Sequence, residues 1–382
     1  MNLAATARNL HPRIGAAADE AERQRRMAPD LARTLAEAGL FRMMVPKSVG
    51  GLEASPREAL EAIEAVAEAD ASAGWCVMIA ATTGLLAGFL PADLAREIYG
   101  PPGTITGGVF APMGKATAEG DHYSVSGHWR WTSGGQNCRW LGGGAVVFED
   151  GALRKLPNGM PDHRMMIFPA DAVELVDTWH TAGLRGTGSL DMKVSNLRVP
   201  KARSVSLIVD RPVADGALYA FPTFGMLALG IAAVASGNAR GAGTEFRALA
   251  NAKKPITGGR VLAERTSVQA TYAKAEAALR GARALLFEEV DAAWDEARRS
   301  GEVALERRAG LRLAATQMGR VAAEFVRTVQ DEAGGSAVFL ENSLQRRLRD
   351  AQTMTAHVMI APPSWELAGR VLFGLPTDAS TL

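Results

Sequence analysis

Three observations predict a mainly helical protein built around a central β-domain. Residues 1 to about 103 are rich in alanine, leucine and glutamate, with apolar residues spaced by three and four. From about residue 104 glycine and β-branched residues rise and apolar–polar alternation takes over. From about residue 206 the helical pattern returns in four long segments. The expected units are an N-terminal helical domain (1–103), a β-domain (104–205) and a C-terminal four-helix bundle (206–382).

The helical reading of the first unit rests on stretches such as Pro56 to Asp70, PREALEAIEAVAEAD, whose apolar residues fall on one face. The strand reading of the second rests on His122 to Thr132, on AVVF, on Met165 to Trp179 and on Leu190 to Pro200, divided by turn residues. The bundle segments lie near 219–250, 262–295, 301–333 and 344–373. Helices of ~30 residues are ~45 Å long, and four in succession bury their apolar stripes against one another.

Composition narrows the function classes. The net charge is +1 and charged residues make up 22%, so neither a nucleic-acid field nor steering to an acidic membrane is expected. The longest uncharged apolar stretch, Phe221 to Asn238, is interrupted by glycine, serine and threonine and reads as a bundle helix, not a membrane span. Two cysteines, Cys76 and Cys138, make neither a disulfide framework nor a zinc pattern. The first fifteen residues lack a signal-peptide core, and the expected location is the cytoplasm. No G-x-G-x-x-G opens a βαβ unit and no phosphate-binding P-loop is present.

Local motifs carry a resemblance. Val45-Pro-Lys-Ser-Val-Gly-Gly51, Asp70-Ala-Ser-Ala-Gly-Trp75, Ser126-Gly-His-Trp-Arg-Trp-Thr-Ser-Gly134, Trp179 to Ser189 with its GLRGTGS turn, Ala333-Gly-Gly-Ser336 and Arg349-Asp350 follow in order. Together they resemble the acyl-CoA dehydrogenase family, and within it the two-component flavin monooxygenases. The resemblance covers nearly the whole chain. It implies a middle domain of barrel or sandwich type, reduced FMN or FAD supplied by a separate flavin reductase, O2 as co-substrate, an aromatic small-molecule substrate and a homotetramer. The implied reaction passes through a C4a-hydroperoxyflavin.

The family's catalytic glutamate is missing: no glutamate lies between Asp350 and Glu366, and His357 stands in that neighbourhood. An imidazole of ordinary pKa, ~6.5, exchanges protons with a ring substrate or a peroxide near neutral pH. His357 is therefore the candidate acid–base residue, placed after Arg349-Asp350 in the last bundle helix, with Ser364-Trp365-Glu366 continuing it. The resemblance lays Trp131, Thr132 and Ser133 along the flavin ring, Ser133 as a donor near N5. It brings Arg185 and Thr187 from a glycine turn, Trp75 against flavin or substrate, and Arg164, Met165 and Met166 as further contacts. Arg247 is its candidate for the flavin phosphate, with Arg260 and Arg265 as competitors. Gly334, Gly335 and Ser336 interrupt a helix, where glycine costs ~1 kcal/mol against alanine, and so admit flavin from a neighbouring subunit.

The segment Gly107 to Pro112 is largely apolar, which disfavours a simple hydroxyphenyl acid and favours an indole, polyketide or terpenoid ring. Two rivals stand beside this reading. One is a dehydrogenase acting on a CoA thioester, which needs a carboxylate base. The other is a non-enzymatic scaffold that keeps the flavin fold.

Overall fold

The computed structural model describes residues 2–254 and 259–382. Six helices come first: α1 (Leu3–Asn9), α2 (His11–Gln24), α3 (Pro29–Glu37), α4 (Pro56–Ala69), α5 (Ala71–Thr83) and α6 (Ala92–Tyr99). α4 begins with a full capping box: Ser55 accepts from the Glu58 amide while the Glu58 carboxylate accepts from the Ser55 amide. α5 starts at Asp70, whose carboxylate accepts from the Ala73 amide at 2.8 Å. α5 has almost no polar face and lies buried at the centre of the molecule, so its apolar run is core.

Eight strands follow, β1 (Thr106–Glu119), β2 (His122–Thr132), β3 (Trp140–Glu149), β4 (Ala152–Leu153), β5 (His163–Pro169), β6 (Glu174–Val176), β7 (Leu190–Pro200) and β8 (Ser204–Val205). They form one mixed sheet in the order β6-β7-β2-β1-β3-β5-β8, with β4 beside β3. β1 and β3 pair in parallel, and the other neighbours are antiparallel. Tyr123, Trp129, Leu141, Met166, Phe168 and Met192, from four strands, share one core cluster. Trp129 fills it: its indole donates to the Gly144 carbonyl at 2.7 Å, and a Cβ at Gly127, Gly143 or Gly114 would strike the ring. The glycines of this domain thus make room for one tryptophan.

The chain then forms α7 (Ala217–Ala220), α8 (Thr223–Ala252), α9 (Thr266–Ser300), α10 (Leu305–Ala333), α11 (Ser343–Thr355) and α12 (Pro363–Leu372). Three helices have the expected length. The fourth expected helix is broken: α11 stops at Thr355, and Pro362 and Pro363 start a separate α12. Proline cannot donate the amide a continuing helix needs, so two in a row enforce the break. His357 accordingly stands in a turn after α11, not in a helix, and Ser364–Glu366 opens α12 instead of continuing α11.

Close packing sets the register of bundle on N-terminal domain. A Cβ on Gly237 of α8 would lie 2.2 Å from the Glu64 carbonyl of α4, and one on Gly241 would lie 2.4 Å from the Glu68 carbonyl. Glu64, buried there, is met by Arg283 of α9 through two bonds of 2.8 and 2.7 Å and by Ser236 at 2.5 Å. Arg347 of α11 reaches the Ala67, Glu68 and Ala69 carbonyls at the end of α4 and the Glu245 carboxylate at 2.7 Å. A cation at a helix C-terminus satisfies its last carbonyls and opposes their partial negative charge.

Candidate active site

β2 ends in an unusual backbone. Trp131 has φ of +72°, a region that side-chain-bearing residues rarely adopt, and its ring is 58% exposed. The pairing of β2 with β7 shifts register between Trp129 and Thr132. This bulge turns Trp131 outward while Thr132 and Ser133 stay buried.

Behind it runs a chain of hydroxyls. The Trp75 indole N–H donates to Ser133 Oγ at 3.1 Å. Ser133 Oγ lies 2.7 Å from Ser189 Oγ, which lies 2.6 Å from Thr187 Oγ1. Thr187 donates to the Leu184 carbonyl at 2.8 Å. That last bond orients the chain: Thr187 accepts from Ser189, Ser189 accepts from Ser133, and Ser133 accepts from Trp75. The Ser133 proton therefore points inward. The Leu184 carbonyl also accepts from Trp179 Nε1 at 2.9 Å and from the Thr187 amide at 3.1 Å, so it stays satisfied if the hydroxyls reverse. Reversal makes Ser133 a donor toward the site.

The 183–189 turn is fixed from α11. Asp350, buried, accepts from the Leu184 amide at 2.6 Å. Arg349 binds the Ala182 carbonyl and, at 2.7 Å, Glu22. A Cβ on Gly183 would sit 2.1 Å from the Arg349 carbonyl, so this contact requires glycine. Burial, with the charge of Asp70 added, pushes the Asp350 carboxyl up to about 7.

Seven residues on, His357 meets Trp75 edge to face, ring centroids 5.7 Å apart and planes at 63°. The Met359 amide donates to His357 Nδ1 at 3.3 Å. Burial, with the positive charge of Arg312 added, pushes the imidazole down to about 4. The expectation of an ordinary pKa is thus corrected: the ring is neutral at pH 7. With Nδ1 accepting, the proton sits on Nε2, and His357 offers an N–H donor.

Trp75, Ser133, Thr187 and His357 therefore lie in one connected group, with Thr132 beside Ser133. The other sequence candidates fall elsewhere. Met166 is fully buried in the β-domain core, and Met165 packs with Val45, Tyr99 and Trp140 on the opposite face of β5. Arg164 is bound to Ser204 at 3.0 Å and to Asp210 at 2.5 Å. The alternation of β5 sends these three side chains into the sheet's two packed faces and a separate ion pair, so none joins the group. Arg247 lies on the exposed side of α8 and donates to Tyr272 at 2.5 Å and Thr244 at 3.1 Å. From Gly230, which touches Met78 of α5, to Arg247 is 17 residues, about 25 Å along the helix. Gly334, with φ of +59°, ends α10 instead of interrupting it, and Lys253 caps the Ala333 carbonyl there at 2.6 Å. Gly335 and Ser336 follow in that same outer turn. Within one chain this end of the bundle does not meet the Trp75–Ser133 group.

Four residues were not singled out from sequence. Ser189 stood in the turn motif only as one of its hydroxyls able to bind an oxygen, and Asp350 marked a position only. Gln136 is half-buried, with both amide atoms sealed from solvent and unpartnered, and packs over Gly188. Arg312 has no motif around it at all.

The residues present fit a flavin. Thr132 Oγ1 and both polar atoms of the Gln136 amide are buried without hydrogen-bond partners, and Arg185 Nε, 3.7 Å from the Glu22 carboxylate, also makes no hydrogen bond. Orphaned polar atoms beside an outward-facing indole are what a planar ring with carbonyl and imide edges satisfies.

The N-terminal domain of acyl-CoA dehydrogenases matches residues 2–91 and the C-terminal domain matches residues 229–362. An indole-3-acetate monooxygenase of Pseudomonas putida is 33% identical over 357 residues, covering 93% of this chain and 89% of that protein. One from Acinetobacter baumannii is 32% identical, covering 94% and 91%. The structure of the HsaA monooxygenase from Mycobacterium tuberculosis, a flavin-dependent oxygenase subunit, superposes with a TM-score of 0.90 at 25% identity, covering 100% of this chain and 99% of that one. The chain belongs to the acyl-CoA dehydrogenase family. Within it, the chain is a flavin-dependent monooxygenase that uses reduced flavin and O2 to oxygenate an aromatic small molecule.

Proposed function

We propose that this chain is the oxygenase component of a two-component system, supplied with reduced FMN or FAD by a separate reductase, and that its substrate is an indole-type ring carrying an acidic side chain. The names of the two indole-3-acetate monooxygenases support the substrate class. The observation that carries the reading is the pairing of a neutral His357 with the Trp75–Ser133 hydroxyl chain where a dehydrogenase keeps a carboxylate.

Bound reduced flavin supplies the two electrons that activate O2. Trp131, Thr132, Ser133, Arg185 and Gln136 would hold it. His357 Nε2–H and the Ser133 hydroxyl act as donors toward an oxygen atom on the substrate side, and the buried Trp75 excludes water. The two carboxylates nearest the dehydrogenase positions are both engaged. Asp350 is buried on the Leu184 amide, and Glu245 is taken by Arg347 and Ser343. This counts against the thioester dehydrogenase.

The distant placement of Arg247 and Gly334–Ser336 supports a homotetramer in which one chain's bundle end serves another chain's flavin. Val338, Phe339 and Leu340, 58–84% exposed beside that turn, supply apolar surface for it. Cytoplasmic location completes the proposal, consistent with two unpaired cysteines.

The test mixes the protein with chemically reduced flavin, 18O2 and indole-3-acetate, with 3-methylindole in parallel, and follows product mass. One 18O atom in the product is expected. Consumption of O2 with hydrogen peroxide as the only product, for every ring offered, would overturn the reading.

A further inference from the structure

α10 carries a buried guanidinium, Arg312, that no Asp or Glu side chain meets among the described residues. Arg312 is 4% exposed. Its one hydrogen bond runs from Nη2 to the Thr381 carbonyl at 2.5 Å, and its Nε is buried with no partner. Arg308, one turn earlier, is held by main-chain oxygens of Ala379 and Leu382. Burying an unpaired charge is costly, and a bound anion would supply the missing partner.

Its position is at the active site. Residues 312, 316, 319 and 320 share one face of α10. Gly319 packs on Ile360, and Arg320 binds the Thr355 and Ile360 carbonyls at 3.1 and 3.3 Å, which bracket His357. The preceding residue, Leu311, packs on Gly225 at the start of α8. Nearby Phe224 meets Phe110 of the apolar β1 segment, ring centroids 4.9 Å apart. Arg312 thus lies on the face that supports the His357 turn, level with the start of α8. Its charge is also felt by the imidazole.

We propose that Arg312 is the carboxylate-binding residue of the substrate site, taking the acid group of an aromatic carboxylic acid while the ring lies beside the His357–Trp75 pair. The proposal rests on the reading of the substrate as an indole-type acid. It accounts for a guanidinium without a carboxylate partner near the His357 turn, and for a selectivity that the ring contacts alone do not provide. A planar guanidinium binds carboxylate through paired N–H donors, and Nε with one Nη is the pair left available.

The experiment measures dissociation constants of indole-3-acetate and 3-methylindole by calorimetry on the reduced-flavin-loaded protein under argon. The two probes differ by one carboxylate. The parent should prefer the acid, and Arg312→Met should reduce that preference roughly 100-fold, the order of a truncated buried charge pair. Arg312→Lys should keep part of it. Arg308→Gln, which loosens the same C-terminal segment without touching the site, should keep it whole. Three outcomes overturn the proposal: a parent without acid preference, an Arg312→Met protein that retains it, or equal loss in Arg308→Gln. A parent that binds 3-methylindole and oxygenates it without acid preference removes Arg312 from this role and leaves the monooxygenase reading standing. A parent that binds and oxygenates no indole removes both.

Discussion

Ser133 Oγ and Ser189 Oγ lie 2.7 Å apart, and the direction of that bond decides what the site can donate. Within the chain Ser133 donates to Ser189 and accepts from Trp75. Ser189→Ala should leave the Ser133 proton without its internal acceptor, turned toward the flavin. Coupling of O2 to product should hold or rise. Ser133→Ala removes the donor and should raise hydrogen peroxide release by about two orders of magnitude, the lower end of the range for a lost site donor. Peroxide formed per O2 consumed distinguishes them. Equal uncoupling in both variants would mean that the hydroxyls serve packing alone.

His357→Ala should leave flavin affinity within a few-fold, because the ring contacts lie on β2 and the 183–189 turn. Product formation should fall by ~10²–10⁴, with peroxide in its place. His357→Gln, which restores an N–H donor near the Nε2 position, should recover part of the loss. Since His357 is held down to about 4, its titration should leave no inflection in coupling between pH 5.5 and 8. An inflection near 6.5 that disappears in His357→Gln would show an ordinary imidazole.

Asp350 gives a pH-dependent stability with a definite sign. Its carboxyl is raised from 3.8 to about 7, so between those values the folded chain holds a proton that the unfolded chain has lost. Its contribution is complete below 3.8, falls as pH rises, and is lost above about 7. Asp350→Asn keeps the acceptor for the Leu184 amide and never ionises. The melting temperature of the variant should therefore approach the parent's near pH 4.5 and exceed it increasingly toward pH 8. A constant difference across that range would contradict the assignment.

Trp131 holds a left-handed backbone that costs a residue with a side chain ~1–2 kcal/mol. Trp131→Gly should relieve that strain and lose only an exposed ring, so the melting temperature should hold or rise by a few degrees. Flavin should bind at least tenfold more weakly. Thermal unfolding and a flavin titration on one preparation test both. A variant that unfolds earlier and binds flavin as before would show that the ring supports the fold.

Much of this was legible in the residues, and the gaps have physical causes. Periodicity revealed α4, α8, α9 and α10, because each buries a stripe against neighbours that repeats along the chain. It extended the last helix through His357 because apolar spacing continues there, although Pro362 and Pro363 forbid the helix. Motif resemblance brought out Trp75, Ser133 and Thr187, which share the hydroxyl chain. It failed for Met166 because a strand residue's role depends on which face it presents, and the partner strands decide that. Arg312 left no local trace: its meaning lies in the absence of an Asp or Glu side chain around it, which only the packed structure displays. The pKa of His357 was equally invisible, since it comes from burial and from a cation 45 residues earlier in the chain.

Asp350 joins the Leu184 turn to α11, and α11 ends two residues before His357. One side of the reaction space and the acid–base group opposite it are therefore borne by a single lever. A shift of α11 moves both together and conserves the gap between them. Variation that enlarges or reshapes the substrate space must then enter from elements outside that lever. Phe110, Phe224 and His163, in ring contact at 4.4 and 4.9 Å, join β1, β5 and the start of α8 outside that lever. Directed libraries confined to those three positions should broaden the range of rings accepted while keeping oxygen transfer coupled, whereas libraries in α11 should lose coupling before they change selectivity.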